Sequence, residues 1–201
     1  LLHGQLALLP EARGLVILAH DTRILDARDE LLSGIFRRAG VSTLSVDLLA
    51  REEEHFPDVH NNVSLLARRL LDFIGLIKNR MLLGELRTLP IGLCATNATS
   101  PVVVRVAAQR DHDIAAIVCR GGLIDLAGML YLHSLESPLL LLLEESDASH
   151  IASSRRALQE VHCRNELKLI PEIGIDYATS SGFEIAARAA SNWFLTHLSA
   201  S

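Results

Sequence analysis

The sequence predicts an α/β protein, a three-layer α/β/α sandwich built on a mostly parallel sheet. Strand-like apolar runs alternate with helix-like segments along the 201 residues, which is typical of a parallel sheet with helices on both faces. Five consecutive leucines at 139–143 indicate a strand buried on both faces. The segment 89–108 combines an apolar run, a group of small polar residues and an apolar helix-like run, a strand–turn–helix junction.

The first half of the chain supplies three predicted strands and two predicted helices. The strands are expected at 6–10, 14–20 and 41–47, the first of them at a sheet edge. Helical spacing of apolar residues places the helices at about 29–38 and 62–80. The acidic segment between them, 50–60, is predicted to be a solvated surface loop.

The second half continues the same alternation after the junction at 89–108. Strands are predicted at 113–119, 138–143 and 166–170, and helices at 146–161 and 183–198 with a short helix-like piece near 123–130. Asp147 or Ser149 is expected to cap the helix at 146–161. Since no repeat, linker or low-complexity tract interrupts the pattern, we expect a single domain over 1–201.

Composition restricts the class of protein. Hydrophobic residues make up 49% and charged residues 21%, as in ordinary globular proteins. The net charge of −5 and the lack of a basic stripe argue against a nucleic-acid partner. No apolar run approaches the roughly 18 residues of a membrane span.

Three widely spaced cysteines favour free thiols in a reducing compartment, so a cytoplasmic location is expected. The chain begins at Leu1 rather than at a methionine. We therefore expect a trimmed chain or a piece of a longer protein, with a flanking domain or a protein partner.

Several segments, in their order and spacing, resemble the α/β-hydrolase superfamily and within it the small, lidless dienelactone-hydrolase-like group. They are the strand ending in His20, the segments 39–49 and 52–54, the segment 118–127 and the terminal segment 189–194. The resemblance covers nearly the whole chain and implies ester or lactone hydrolysis. It requires a Ser or Cys nucleophile on a sharp turn, a His, an acid and an oxyanion loop.

The nucleophile position of that group falls at Asn97, and the flanking glycines are replaced by Ala95 and Thr99. A neighbouring base cannot activate a carboxamide at neutral pH, so acyl-enzyme chemistry is not expected at Asn97. Asparagine tolerates left-handed dihedral angles, which suits a turn retained for its shape.

Of the remaining catalytic positions, only the acid position holds the type of residue that this group of hydrolases requires. The acid position falls at Asp147, which is equally well explained as a helix cap. The His position falls at Ile175, and no histidine occurs between Cys163 and Thr196. The oxyanion-loop position holds Asp21 and Thr22 where glycines are expected, and an acidic side chain there would oppose a developing oxyanion.

Other reactive side chains indicate a catalytic or binding role less strongly. Cys94 is expected to be a buried, inert thiol, and Thr99 and Ser100 are expected to cap the following helix. Arg120 lies at a strand's carboxyl end, where it could bind an anionic ligand, although an ion pair is the favoured role.

The sequence predicts neither a metal site nor a cofactor site. The local cluster of His55, Asp58 and His60 is too common a pattern to predict a metal site. No G-x-G-x-x-G or P-loop motif is present, so no cofactor is expected.

Three functions remain open at this point. The favoured one is a non-catalytic relative of the hydrolases that acts as a scaffold, an interaction domain or a ligand-binding domain. The second is an active carboxylesterase or lactone hydrolase that uses Cys94, Ser100 or a histidine brought in by folding. The third is a domain of a larger protein or complex.

Overall fold

A seven-stranded sheet organises the fold. The computed structural model describes residues 2–21, 27–110, 112–172 and 181–198. Its strands are β1 (Gly4–Ala7), β2 (Leu15–His20), β3 (Ser42–Asp47), β4 (Ile91–Thr96), β5 (Ile114–Arg120), β6 (Leu139–Glu144) and β7 (Asn165–Ile170). Their order across the sheet is β1-β3-β2-β4-β5-β6-β7. Only the edge pair β1–β3 is antiparallel, and the other five pairs are parallel, so the predicted mostly parallel sheet is confirmed.

Helices cover both faces of this sheet. They are α1 (Ala27–Arg38), α2 (Pro57–His60), α3 (Val63–Leu82), α4 (Ser100–Gln109), α5 (Met129–His133), α6 (Ala148–Gln159) and α7 (Ser181–His197). The apolar cluster that contains α1 and α7 lies on one face, and the cluster that contains α3 and α4 lies on the other. The predicted three-layer sandwich is therefore confirmed. Within the described ranges, no helix has both the length and the apolar character needed to cross a membrane.

The leucine-rich strand β6 shows why the sequence folds into three layers. Side chains alternate between the two faces of a strand, and in β6 both faces are covered. Leu139 and Leu141 join the cluster under α3 and α4, whereas Leu140 and Leu142 join the cluster under α1 and α7. A run of one residue type thus supplies apolar surface to both cores.

Two predicted segments differ from the structure. The edge strand was expected at 6–10, but β1 spans Gly4–Ala7, where its register places Gly4 opposite Val46. The piece near 123–130 is a 3₁₀ helix, Ile124–Ala127, followed by α5. Both differences concern short elements whose bounds depend on pairing and packing rather than on periodicity.

The acidic segment 50–60 is only partly the solvated loop that the sequence predicted. It contains the short helix α2, and Glu53 forms a two-pronged ion pair with Arg69 of α3, with both N···O distances 2.7 Å. The Glu53 carboxylate also accepts the Ala50 N–H at 2.9 Å. These contacts fasten the segment to α3, so the prediction of a freely solvated acidic run is wrong for Glu53.

Candidate functional site

The sharp turn after β4 places Asn97 at the carboxyl edge of the sheet. Asn97 has a φ of 45°, and among the described residues it is the only one other than glycine with a positive φ. A 3₁₀ turn, Asn97–Thr99, leads directly into α4. The Asn97 side chain is exposed, so this turn presents a carboxamide at its tip.

The turn is held by two hydroxyl groups. The fully buried Thr99 hydroxyl accepts the Thr96 N–H at 3.1 Å and lies 3.0 Å from the Ala19 carbonyl and 2.8 Å from the Thr96 carbonyl. The Ser100 hydroxyl donates to the Gly121 carbonyl at 2.8 Å. Thr99 stands at the N-cap position of α4, but no side chain caps that helix. The prediction that Thr99 and Ser100 cap α4 is therefore wrong: the Thr99 hydroxyl closes a capping box with Thr96 at the preceding 3₁₀ turn, and the Ser100 hydroxyl binds the loop after β5.

Two glycines after β5 allow a second loop to pack against Asn97. Gly121 and Gly122 have φ values of 73° and 82°. A Cβ atom on Gly121 would lie 2.5 Å from Asn97 Oδ1, and one on Gly122 would lie 2.1 Å from the Asn97 carbonyl oxygen. Any side chain at either position would displace Asn97, so this pair of glycines helps to set the shape of the site.

Asp147 caps α6, as the sequence predicted. Its Oδ1 accepts the His150 N–H and the Ser149 hydroxyl, both at 3.1 Å, and its Oδ2 lies 2.5 Å from His150 Nδ1. The imidazole of His150 beside Oδ2, together with the hydrogen bond from the His150 backbone N–H, holds the pKa of Asp147 below its ordinary value.

His150 is a residue that the sequence analysis missed. It was overlooked because the histidine was sought after β7, at Ile175, a position that lies outside the described residues. The signal that could have found it is the spacing Asp147-x-x-His150 at a helix start, since residues three apart on a helix are neighbours.

Arg120 forms the ion pair that the sequence analysis favoured. Its Nη1 lies 3.3 Å from Asp29 Oδ1, while His20 Nδ1 lies 3.3 Å from Asp29 Oδ2. The side chains of all three residues are 13% exposed or less. Burial acts to raise the pKa of Asp29, but His20 and Arg120 outweigh burial and the pKa lies below its ordinary value.

Asp21, at the predicted oxyanion loop, pairs with a histidine from another segment. Its Oδ2 lies 3.2 Å from His60 Nδ1, and His60 Nε2 lies 3.1 Å from the Glu54 carbonyl oxygen. Both partners are acceptors, so they favour the imidazolium form; the Glu54 carbonyl and then Asp21 raise the pKa of His60. The other oxyanion-loop position, Thr22, lies outside the described residues.

The remaining candidate groups have little reactivity. Burial raises the pKa of Cys94 to about 12 and that of Cys163 to about 11, and it also raises the pKa of Cys119, so thiolate formation is disfavoured. Across residues 2–21, 27–110, 112–172 and 181–198, no group of three or more His, Cys, Asp or Glu side chains is placed to hold a metal ion.

Two cavities meet at the exposed turn. The first, here called the Arg120 cavity, has a volume of about 270 Å³, and its polar lining groups are Asp29, Thr96, Asn97, Arg120, Glu144 and Asp147. The second, the His150 cavity, has a volume of about 380 Å³ and is lined by Asn61, Pro101, Leu123, Leu126 and His150. Asn97, Gly121 and Asp147 line both cavities. Asn97 and Asp147, predicted to share a site, are thus brought together, and Arg120 joins them.

Solved structures of several hydrolases are similar to this chain in fold. A dienelactone hydrolase from Anabaena variabilis is 28% identical, with a TM-score of 0.89 over 98% of this chain and 92% of that one. Est1E from Butyrivibrio proteoclasticus, solved with ferulic acid bound, is 14% identical, with a TM-score of 0.77 over 98% of this chain and 95% of that one. The similarity to Est1E shows the fold alone, whereas the Anabaena dienelactone hydrolase is also similar in sequence.

Curated relatives add a different description. Two Mycobacterium tuberculosis proteins described as "Putative phosphoribosyl transferase" are 28% identical over 197 residues, which is 97% of this chain. The chain spans 44% of the length of these relatives. No protein-family model matches the chain.

Proposed function

We propose, on the premise that this chain has the α/β-hydrolase fold and resembles dienelactone hydrolase over nearly its whole length, that it is a non-catalytic, ligand-binding relative of those enzymes. One observation carries the proposal: the exposed left-handed tip of the turn after β4, where the fold holds its nucleophile, is occupied by Asn97. A carboxamide does not open an ester or lactone by nucleophilic attack, because no base can activate it at neutral pH.

The surroundings of Asn97 support the same proposal. Cys94, the nearest thiol in the sequence, is buried with a pKa raised to about 12, so little thiolate forms. The hydroxyls of Thr99 and Ser100 are already engaged with backbone carbonyl groups. Asp147 uses both of its carboxylate oxygens at the start of α6. The cavities beside Asn97 nevertheless remain open and lined by polar groups, as binding requires.

Covalent labelling tests this proposal. Wild-type protein is treated with a fluorophosphonate probe and with iodoacetamide, and p-nitrophenyl acetate turnover is measured in parallel. We expect no site-specific labelling above a denatured control and no turnover above buffer. Asn97→Cys is the matched control: its exposed thiol should be labelled by iodoacetamide, which shows that reagents reach the turn. Labelling of one wild-type residue, or turnover abolished by one cavity substitution, would overturn the proposal.

A second candidate function is hydrolysis by a water molecule that His150 activates. The observation that favours it is the Asp147–His150 pair, 2.5 Å apart, in a cavity that Asn97 also lines. With Nδ1 held by Asp147, Nε2 would accept a proton from water while the water oxygen attacks an ester carbonyl, and it would return that proton to the leaving alcohol. Turnover by wild-type protein that is lost in His150→Gln would establish this candidate.

The curated relatives support a proposal about the protein context. Because the chain matches only 44% of each relative and has a hydrolase fold, we propose that the phosphoribosyl transferase activity named for those proteins belongs to their remaining part. The chain described here would then act beside such an enzyme, as a flanking domain or as a partner. The 201-residue chain is expected to show no phosphoribosyl transferase activity. It should co-elute in size-exclusion chromatography with the remaining part of such a relative, produced as a separate protein. Migration of the two as separate species would contradict this proposal.

A further inference from the structure

We propose that the Arg120 cavity binds a small zwitterion, a molecule that carries one carboxylate and one ammonium group. The carboxylate would bind the guanidinium of Arg120, and the ammonium would bind the carboxylate of Glu144. This inference rests on the proposed ligand-binding function and names the chemical class of the ligand.

Sheet register places Arg120 and Glu144 on the same face of the sheet. Arg120 of β5 pairs with Leu142 of β6, so Glu144, two residues further along β6, projects to the same side. That side is the one covered by α1 and α7, because Leu142 packs in their cluster. The two charged groups therefore line one wall of a single cavity.

Arg120 has unused hydrogen-bonding capacity in this wall. Its side chain is 10% exposed, and its one hydrogen bond within the described part of the chain joins Nη1 to Asp29 at 3.3 Å. A guanidinium carries five N–H donors, so most of them have no protein acceptor among the described residues. A carboxylate is the group that matches this planar fork, through two parallel hydrogen bonds.

Charge balance explains why a simple anion is a poor ligand. Of the three carboxylates that line the cavity, Asp29 is paired with Arg120 and His20, and Asp147 is paired with His150. Glu144 has no ion pair with any described residue. A free carboxylate ligand would be repelled by Glu144, whereas a ligand that also carries an ammonium group can pair with both Arg120 and Glu144.

Cavity size limits the ligand. A volume of about 270 Å³ lies just below the range of roughly 300–1,000 Å³ that is usual for small-molecule sites. The polar side chains of Thr96 and Asn97 form part of the lining, and they offer further hydrogen bonds to a compact polar molecule. An amino-acid-sized zwitterion fits these limits better than a lipid or a nucleotide.

The test is a binding panel measured by calorimetry and by thermal shift. Glycine, β-alanine and γ-aminobutyrate vary the separation of the two charges, while acetate and ethylamine carry one charge each. We expect at least one zwitterion to bind and to raise the melting temperature at concentrations where acetate and ethylamine do not. Arg120→Met and Glu144→Gln should each weaken that binding by about tenfold or more.

Control variants separate binding from folding. Arg80→Met and Glu85→Gln remove the members of an exposed ion pair outside the cavity and should leave binding unchanged. If Arg120→Met fails to fold because Asp29 loses its partner, then Arg120→Lys, which keeps the charge but loses the fork, and Glu144→Gln still test the site.

The outcomes distinguish this inference from the proposed function. If no zwitterion binds, or if acetate binds as tightly as the best zwitterion, the inference is wrong, and the proposed absence of covalent chemistry is not affected by that result. If an active-site probe labels the wild-type protein, the proposed function fails whatever the panel shows. Binding that survives unchanged in both Arg120→Lys and Glu144→Gln would also overturn the inference.

Discussion

The carboxylate of Asp147 holds the imidazole of His150, with Oδ2 and Nδ1 2.5 Å apart, while its other oxygen accepts the backbone N–H of the same residue. One acidic side chain, which lines both cavities, therefore fixes the start of α6 and the orientation of a histidine that lines the His150 cavity. The contact of Asp147 that caps α6 is therefore also part of the candidate site.

The first prediction concerns this cap. Asp147→Ala should lower the free energy of unfolding by about 1 kcal/mol, since a lost N-cap leaves a helix N–H without its acceptor. Because the pKa of Asp147 is lowered in the folded state, the stabilising contribution is present above the unfolded pKa and is lost as the pH falls through the folded pKa. Urea unfolding and the amide exchange rate of His150 measure both effects.

Two variants make the cap prediction specific. Asp147→Asn retains a cap oxygen and should lose less stability than Asp147→Ala. Asp58→Ala removes an exposed acid from the first turn of α2, where no side chain caps the helix, and should have little effect. Equal losses in Asp147→Ala and Asp58→Ala would show that the cap does not stabilise α6.

The second prediction concerns the glycine that touches Asn97. Gly122→Ala should destabilise the protein by about 2–5 kcal/mol, because it combines a φ of 82° with a Cβ atom 2.1 Å from the Asn97 carbonyl oxygen. The midpoint of chemical denaturation measures this loss. Gly75→Ala is the matched control: its Cβ meets nothing within 4 Å in the middle of α3, so it should gain about 0.5–1 kcal/mol. A Gly122→Ala protein as stable as wild type would contradict the prediction.

Much of the fold could be predicted from the sequence, because alternation and periodicity are local signals. The five leucines of β6 and the strand–turn–helix junction at Asn97 are examples. The contacts of Gly121 and Gly122 with Asn97 could not be predicted, because they depend on which strand lies beside β4 in the sheet. Pairing of Asp21 with His60 joins residues 39 apart in the sequence, and nothing in either local segment indicates it.

The third prediction concerns pH and the Glu53–Arg69 ion pair. The Arg69 hydrogen bonds and the Ala50 N–H lower the pKa of Glu53 from 4.5 to about 2. The ion pair therefore stabilises the fold fully above pH 4.5, and its contribution is lost as the pH falls towards 2. Glu53→Gln should lower the free energy of unfolding by about 1 kcal/mol at pH 7, since both partners are partly exposed, and the difference should shrink as the pH approaches 2.

A second exposed ion pair is the control for this prediction. Glu85→Gln removes the partner of Arg80, where both side chains are more than half exposed, and it should change stability little at any pH. If the difference between wild type and Glu53→Gln were the same at pH 7 and near pH 2, the pair would not be the source of the pH dependence.

The last prediction concerns Thr99, whose hydroxyl holds the turn that presents Asn97. In Thr99→Val the fully buried side chain keeps its shape, but the Thr96 N–H loses its acceptor, and the single hydroxyl proton that lies between the Ala19 and Thr96 carbonyls is removed. An unsatisfied buried polar group costs about 1–3 kcal/mol, so the free energy of unfolding should fall by that amount and amide exchange at Thr96 should accelerate.

Two variants separate the hydroxyl from the packing of the side chain. Thr196→Val removes an exposed hydroxyl bonded within α7 and should change stability by less than about 0.5 kcal/mol. Thr99→Ser keeps the hydroxyl and loses a methyl group, so it should preserve slow exchange at Thr96 even if it loses some stability. Rapid exchange in Thr99→Ser, or unchanged exchange in Thr99→Val, would show that packing of the methyl group rather than the hydroxyl holds the turn.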